Sequence, residues 1–231
     1  MNRALIAAAI VVSSFFSVSS ASADPITFSD NFNDGNTNGW WLGYSHHTPS
    51  VNGNWRIENG TLVQDAPGDA FIALVQGLMV STQTISADIL PYQVAGYAGF
   101  TLWYQNPQNW TSVFLYPGPG VCVVEVLSGA PETFNCLPFF LTQATVHRLS
   151  VDVDAVSGQL SISVDNSFVG TYQASNPNRT GLSGLYDGNS GASFDNFELS
   201  STSATAVPEP ASLLLLGTGL ASLVLVRRRR R

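Results

Sequence analysis

Two stretches of this chain alternate apolar and polar residues without a break. They are Arg148-Leu149-Ser150-Val151-Asp152-Val153-Asp154 and Leu160-Ser161-Ile162-Ser163-Val164-Asp165. Side chains on an extended strand point to opposite faces in turn, so a period of two puts every Leu, Ile and Val of these stretches on one side. The connector Ala155-Val156-Ser157-Gly158 makes the pair a hairpin. A second tight turn, Asp165-Asn166-Ser167, leads into Phe168-Val169-Gly170-Thr171-Tyr172. Residues 54–57 and 61–64 flank Glu58-Asn59-Gly60, and Asn-Gly is a strong hairpin turn. Further strands are expected at 71–75, 80–90, 97–105, 110–116, 121–127, 181–186 and 192–199. Gly, Asn, Ser, Pro and Asp interrupt the pattern every ~8–12 residues, and helical periodicity is missing between the two ends of the chain. Many short antiparallel strands at that spacing predict an all-β sandwich or barrel.

The two ends follow other rules. Arg3, an apolar stretch from Ala4 to Val12 extended by Phe15 and Phe16, and Ala21-Ser22-Ala23 occur in the order of a secretory signal. Residues 1–23 are therefore expected to form a signal helix that is removed, with the mature chain starting at Asp24. At the other end, Val207-Pro208-Glu209-Pro210 precedes an uncharged apolar run, Ala211–Val226, and five arginines, Arg227–Arg231. As a helix the run spans roughly 24 Å, slightly short of a bilayer core of about 30 Å. The arginines would hold its end in the cytoplasm. Residues 201–207 are small, polar and uncharged, and read as a flexible linker.

Between the ends, about 180 residues suit one domain, expected over 24–200. This segment carries three arginines, no lysine and 15 acidic residues, a net charge of −12. Binding to nucleic-acid phosphates is disfavoured by that balance. Cys122 and Cys136 lie either side of Ser128-Gly129-Ala130-Pro131. A chain folding back there would face them across paired strands, so export to an oxidising compartment predicts a disulfide.

The C-terminal pattern of Val-Pro-Glu-Pro, apolar helix and arginine cluster resembles the PEP-CTERM sorting signal, over residues 208–231. That resemblance implies an exported protein of a Gram-negative bacterium. It further implies transient insertion in the inner membrane, recognition by an exosortase-like transpeptidase and processing near Pro208, Glu209 and Pro210. The destination would be the cell surface or extracellular matrix.

A second resemblance covers most of the middle. Asp30-Asn31-Phe32, Gly39-Trp40, Trp55–Leu62, Ala98-Gly99-Phe100, Gly181–Tyr186 and Phe194-Asp195-Asn196-Phe197 look like segments of concanavalin A-like jelly-roll domains, the laminin-G, lectin and glucanase relatives. The resemblance implies an antiparallel jelly-roll β-sandwich. Fold alone does not set function.

Retaining glucanases of this kind resemble one another in a Glu-x-Asp-x-(x)-Glu strand, which sets two carboxylates at the separation the reaction needs. This chain lacks that spacing. Glu125 and Glu132 flank a turn with no aspartate between them, and Asp152 and Asp154 are strand positions of one face. His46-His47 with His147 makes no metal-ligand spacing, and Gly-x-Ser-x-Gly does not occur. Oxygen ligands for calcium are available in Asp30, Asp34 and Asp195, with Asn31, Asn36 and Asn196 beside them. Asx-rich turns bonding their own backbone are the other reading of the same residues. For sugar stacking the candidates are Trp41, Trp103 and Trp110, with Trp40, Tyr97 and Tyr104 nearby. Trp40 and Trp41 point to opposite faces, one to the core and one outward. Trp103 lies on the more polar face of its strand and is expected to be the best platform.

The expectation is thus a non-enzymatic surface or matrix protein that binds exopolysaccharide, with calcium as a structural ion. A glycan-active hydrolase on the same fold is the alternative.

Overall fold

The structure is a computed structural model describing residues 25–45, 53–67, 70–92, 96–130, 133–142, 144–189 and 191–201. The expected signal helix, the linker beyond Ser201 and the C-terminal helix with Pro208, Glu209 and Pro210 lie outside these residues. So do His46, His47 and Glu132. By its internal contacts, Asp24–Ser203 forms one compact unit.

All described elements are strands. In chain order they begin with β1 (Ile26–Asp30), β2 (Trp40–Ser45), β3 (Arg56–Glu58), β4 (Thr61–Gln64) and β5 (Phe71–Val80). Then come β6 (Gln83–Pro91), β7 (Tyr97–Asn106), β8 (Asn109–Tyr116), β9 (Gly120–Leu127) and β10 (Thr133–Leu137). The last five are β11 (His147–Asp154), β12 (Gln159–Val164), β13 (Ser167–Gln173), β14 (Gly181–Gly188) and β15 (Ala192–Ser201). The stretch expected as one strand over 80–90 is divided by the Ser81-Thr82 turn. Its first residue, Val80, closes β5, where it pairs with Gly181.

Two antiparallel sheets result. One runs β13-β12-β11-β6-β15-β4-β3, with β1 also on β15, and the other runs β10-β9-β8-β7-β14-β5-β2. The predicted hairpins form. Leu149, Val151 and Val153 of β11 pair with Val164, Ile162 and Leu160 of β12, and all six are buried. Asn59 and Gly60 both take positive φ, 53° and 76°, as a two-residue turn matched to strand twist requires.

The main core lies between the sheets. Ile85, Ala87 and Ile89 of β6 and Phe194, Phe197 and Leu199 of β15 meet Phe100, Leu102, Val113, Val121 and Val123 from the second sheet. Glu125 ties the sheets at one edge. Its carboxylate accepts from Tyr172 Oη at 3.0 Å, Ser175 Oγ at 2.7 Å and the Ser175 and Asn176 amides at 3.0 and 2.9 Å. Cys122 and Cys136 sit directly opposite each other on β9 and β10 and are joined by a disulfide, so the edge strand is fastened covalently to its neighbour.

Candidate functional site

The seven-stranded sheet has a second apolar face, pointing away from the core. On β8 the pleat sends Thr111, Val113 and Leu115 inward and Trp110, Ser112, Phe114 and Tyr116 outward. Neighbouring strands add Tyr97, Tyr186, Trp41 and Leu182 to the same cluster. The rings form a continuous strip. Tyr97 lies 5.1 Å from Phe114, 5.5 Å from Tyr116 and 6.0 Å, stacked, from Tyr186. Phe114 lies 5.5 Å from Tyr186 and 5.7 Å from Phe134, and Trp110 closes the row 6.1 Å from Tyr186. Gly99 faces Phe114 across β7 and β8, and a Cβ there would collide with Val113 O and the Phe114 backbone. Gly188 leaves room for the Tyr97 ring in the same way. Phe134 is 46% exposed, and Trp41, Tyr97, Tyr104 and Tyr116 are half-buried. Burial pushes the Tyr104 phenol pKa up.

The predicted tryptophans part company here. Trp41 lies on this face, its ring over Gly43. Trp40 is in the core, as its opposite phase requires, and its indole N–H donates to Asp30 Oδ2 at 2.8 Å. Trp110 is on the aromatic face but fully buried, donating to Pro107 O at 3.1 Å. Trp103 corrects the expectation outright. It takes φ 53° at a register shift between Leu102 and Asn106, which breaks the alternation and turns its ring into the core beside Leu102. It is fully buried and its indole N–H donates to Ser81 O at 2.9 Å, so it presents no platform. Sequence reasoning missed Phe114, Tyr116, Phe134 and Tyr186. The i, i+2 row Trp110-Ser112-Phe114-Tyr116 was the signal that could have found three of the rings on this face.

The acidic candidates do not converge as a cation cage. Asp30 Oδ1 accepts the Phe32 amide at 2.8 Å, and its other oxygen holds Trp40. Asp34 accepts the Asn36 amide at 3.1 Å, and Asn31 accepts that of Asn33 at 3.2 Å. Asp195 accepts the adjacent Asn196 amide at 2.7 Å and does not line the depression beside Asp30 and Asp34. The contacts of Asp30, Asn31 and Asp34 are Asx turns. Among the described residues no three His, Cys, Asp or Glu side chains gather as a metal site. This donor set does not fit calcium as arranged.

One carboxyl is strongly perturbed. Asp187 lies deep in the fold, accepting from Gln64 Nε2 at 2.6 Å, and burial pushes its pKa up to about 8 against the pull of hydrogen bonds from Gln64 and Gly191. It faces the sandwich interior with Leu185, not the aromatic strip. Asp152 and Asp154 lie on the outer face of the other sheet. His147 is occupied through both ring nitrogens, with Asp165 Oδ2 at 2.6 Å and Thr142 O at 3.0 Å.

The two-sheet antiparallel jelly roll is a fold shared with galectin- and glucanase-like structures. Solved structures agree on the fold. The carbohydrate-binding module CBM66 from Bacillus subtilis superposes with a TM-score of 0.58 at 16% identity, over 71% of this chain and 96% of that one. A Bacillus subtilis protein of unknown function with a galectin-like fold gives 0.54 at 9% identity, over 74% and 94%. The Bacillus licheniformis β-glucanase gives 0.54 at 16%, over 76% and 97%. Structures similar in fold therefore include both binding modules and hydrolases. Residues 206–231 match the PEP-CTERM protein-sorting motif, so the tail carries that signal. No curated protein matches the sequence.

Proposed function

We propose that this chain is an exported, non-catalytic saccharide-binding protein of the cell surface or matrix, delivered by its PEP-CTERM tail. The tail would insert transiently in the inner membrane and be processed by an exosortase-class enzyme near Pro208-Glu209-Pro210. The observation that carries the binding role is exposed Phe134 with half-buried Tyr97 and Tyr116 beside it and Trp41 further along the same face, all backed by the buried ring of Phe114. Ring faces on a rigid sheet suit the apolar faces of sugar rings. The similarity to a named carbohydrate-binding module supports the same reading. Hydrolysis needs two carboxylates about 5–10 Å apart across the sugar. Among the described residues, the β8 positions on this face, Trp110, Ser112, Phe114 and Tyr116, and the β9 positions Cys122 and Val124 carry no acidic side chain.

The test is a glycan array probed with the Asp24–Ser203 unit and with its Tyr116→Ala and Phe134→Ala variants. Loss of a ring contact worth about 1 kcal/mol weakens binding about fivefold. Retention of one or more neutral saccharides, weakened in both variants, supports the proposal. No retained saccharide, or equal retention by the variants, contradicts it.

A further inference from the structure

The outer face of the eight-stranded sheet is built differently, and its pattern runs across strands instead of along them. Thr27 pairs with Ser200, Ser200 with Thr84, Thr84 with Asp152, Asp152 with Ser161, and Ser161 with Thr171. One lateral row of short polar side chains thus crosses β1, β15, β6, β11, β12 and β13. At a strand spacing of about 4.8 Å the row is about 24 Å long. A second row, about 7 Å away along the strands, is Ser29, Glu198, Ser86, Ser150 and Ser163. Their strand neighbours, such as Ile85, Val151, Ile162 and Leu199, fill the core, so both rows face outward.

Three surface depressions lie on this face and run into one another. Thr84 and Ser200 line both the first and the second, and Ser29 and Glu198 line both the second and the third. Five carboxylates are spread along the trough: Asp154 and Asp152 at one end, Glu198 in the middle, Asp30 and Asp34 at the other. Among the described residues no basic side chain lines any of the three. The nearby Arg148 guanidinium is held by Asp88 at 3.1 Å, Ser86 at 2.9 Å and Glu198 at 3.1 Å. Part of the lining is pre-oriented, since Thr84 Oγ1 donates to Asp152 Oδ1 at 2.7 Å.

We propose that this trough is a second binding site, for an extended polysaccharide bearing protonated amines. The hydroxyl rows offer donors and acceptors to sugar hydroxyls along an extended chain, and the carboxylates match ammonium groups. Uronate polymers, phosphate and nucleic acid meet five carboxylates there against one guanidinium, Arg148, which Asp88 and Glu198 already pair. The site is independent of the aromatic face and lies on the opposite sheet. A domain carrying both would link two polymer chains.

The experiment is calorimetry on the Asp24–Ser203 unit with a fully deacetylated glucosamine hexamer, its N-acetylated counterpart and a lysine peptide of equal charge. Three variants accompany it, each checked by thermal unfolding: Asp152→Asn with Glu198→Gln, Ser161→Arg, and Tyr116→Ala on the aromatic face. The expected result is binding of the deacetylated hexamer, at least tenfold weaker in both trough variants and unchanged in Tyr116→Ala. The acetylated hexamer and the peptide are expected to bind at least tenfold more weakly to the unaltered protein. Failure of the deacetylated hexamer to bind, trough variants that bind it normally, or a peptide that binds as tightly would each overturn the proposal. Since Tyr116→Ala reports only on the aromatic face, either site can fail alone.

Discussion

Asp187 makes the stability of this sandwich depend on pH in an unusual direction. Its carboxyl accepts from Gln64 Nε2 at 2.6 Å, while Oδ1 has no hydrogen-bond partner among the described residues. Burial is the largest influence and pushes the pKa from 3.8 to about 8. The folded protein therefore keeps a proton that the unfolded chain releases at a much lower pH. The stability this proton confers is complete below the unfolded value and is lost as pH rises through about 8. Each pH unit in that window removes about 1.4 kcal/mol, so about 5 kcal/mol is lost between pH 4 and 8. Asp187→Asn keeps the shape, still accepts from Gln64 and cannot ionise. Urea unfolding of both proteins, followed by tryptophan fluorescence from pH 4.5 to 9, measures the difference. The variant is expected to match the parent near pH 4.5, gain on it by about 1.4 kcal/mol per pH unit, and level off above pH 8. The subtraction cancels groups common to both, including Asp65, whose pKa is lowered chiefly by its hydrogen bond from Arg56 and which acts in the acid range. Parallel pH profiles would refute the reasoning.

Two further outcomes follow from the packing. Opening the Cys122–Cys136 bridge by reduction or by Cys136→Ser releases a loop of sequence separation 14 and is expected to cost about 3 kcal/mol, with faster amide exchange across 133–137. An unchanged urea midpoint after confirmed reduction would show that the edge strand does not need its clasp. Arg179 donates to the carbonyls of Asn176, Ala155, Val156 and Ala174, stitching the β11–β12 turn to the β13–β14 connection. Arg179→Ala is expected to destabilise by about 2–4 kcal/mol, and Arg179→Lys to recover only part of that, both read from urea midpoints.

Much of the fold was legible because its signals are local. The β11–β12 hairpin is written in strict alternation, the β3–β4 turn in Asn59-Gly60, and the disulfide in the turn residues midway between two cysteines. Trp103 was misplaced because a single residue at φ 53° reverses the alternation, and periodicity carries no mark of a bulge. The aromatic strip was half visible. Tyr97 and Trp41 were named from the chain, but Tyr186 and Phe134 reach the strip only through the sheet order β10-β9-β8-β7-β14, which sequence spacing does not encode. The polar trough was invisible for the same reason. Thr27, Thr84, Asp152 and Ser200 are far apart in the chain and become neighbours only through strand register. The aspartates around Asp30 illustrate the converse, since a run of Asx residues fits either an ion or its own backbone amides, and only geometry separates the two.

The central claim is that the aromatic outer face of the seven-stranded sheet binds saccharide. Chemical-shift mapping of the Asp24–Ser203 unit, titrated with a neutral saccharide retained on the array, tests it most directly. The account predicts perturbations centred on Tyr97, Tyr116 and Phe134 and reaching Trp41, with the β11–β12 hairpin unmoved. Perturbations confined to the other sheet, or saturation with no change at these aromatic residues, would contradict it.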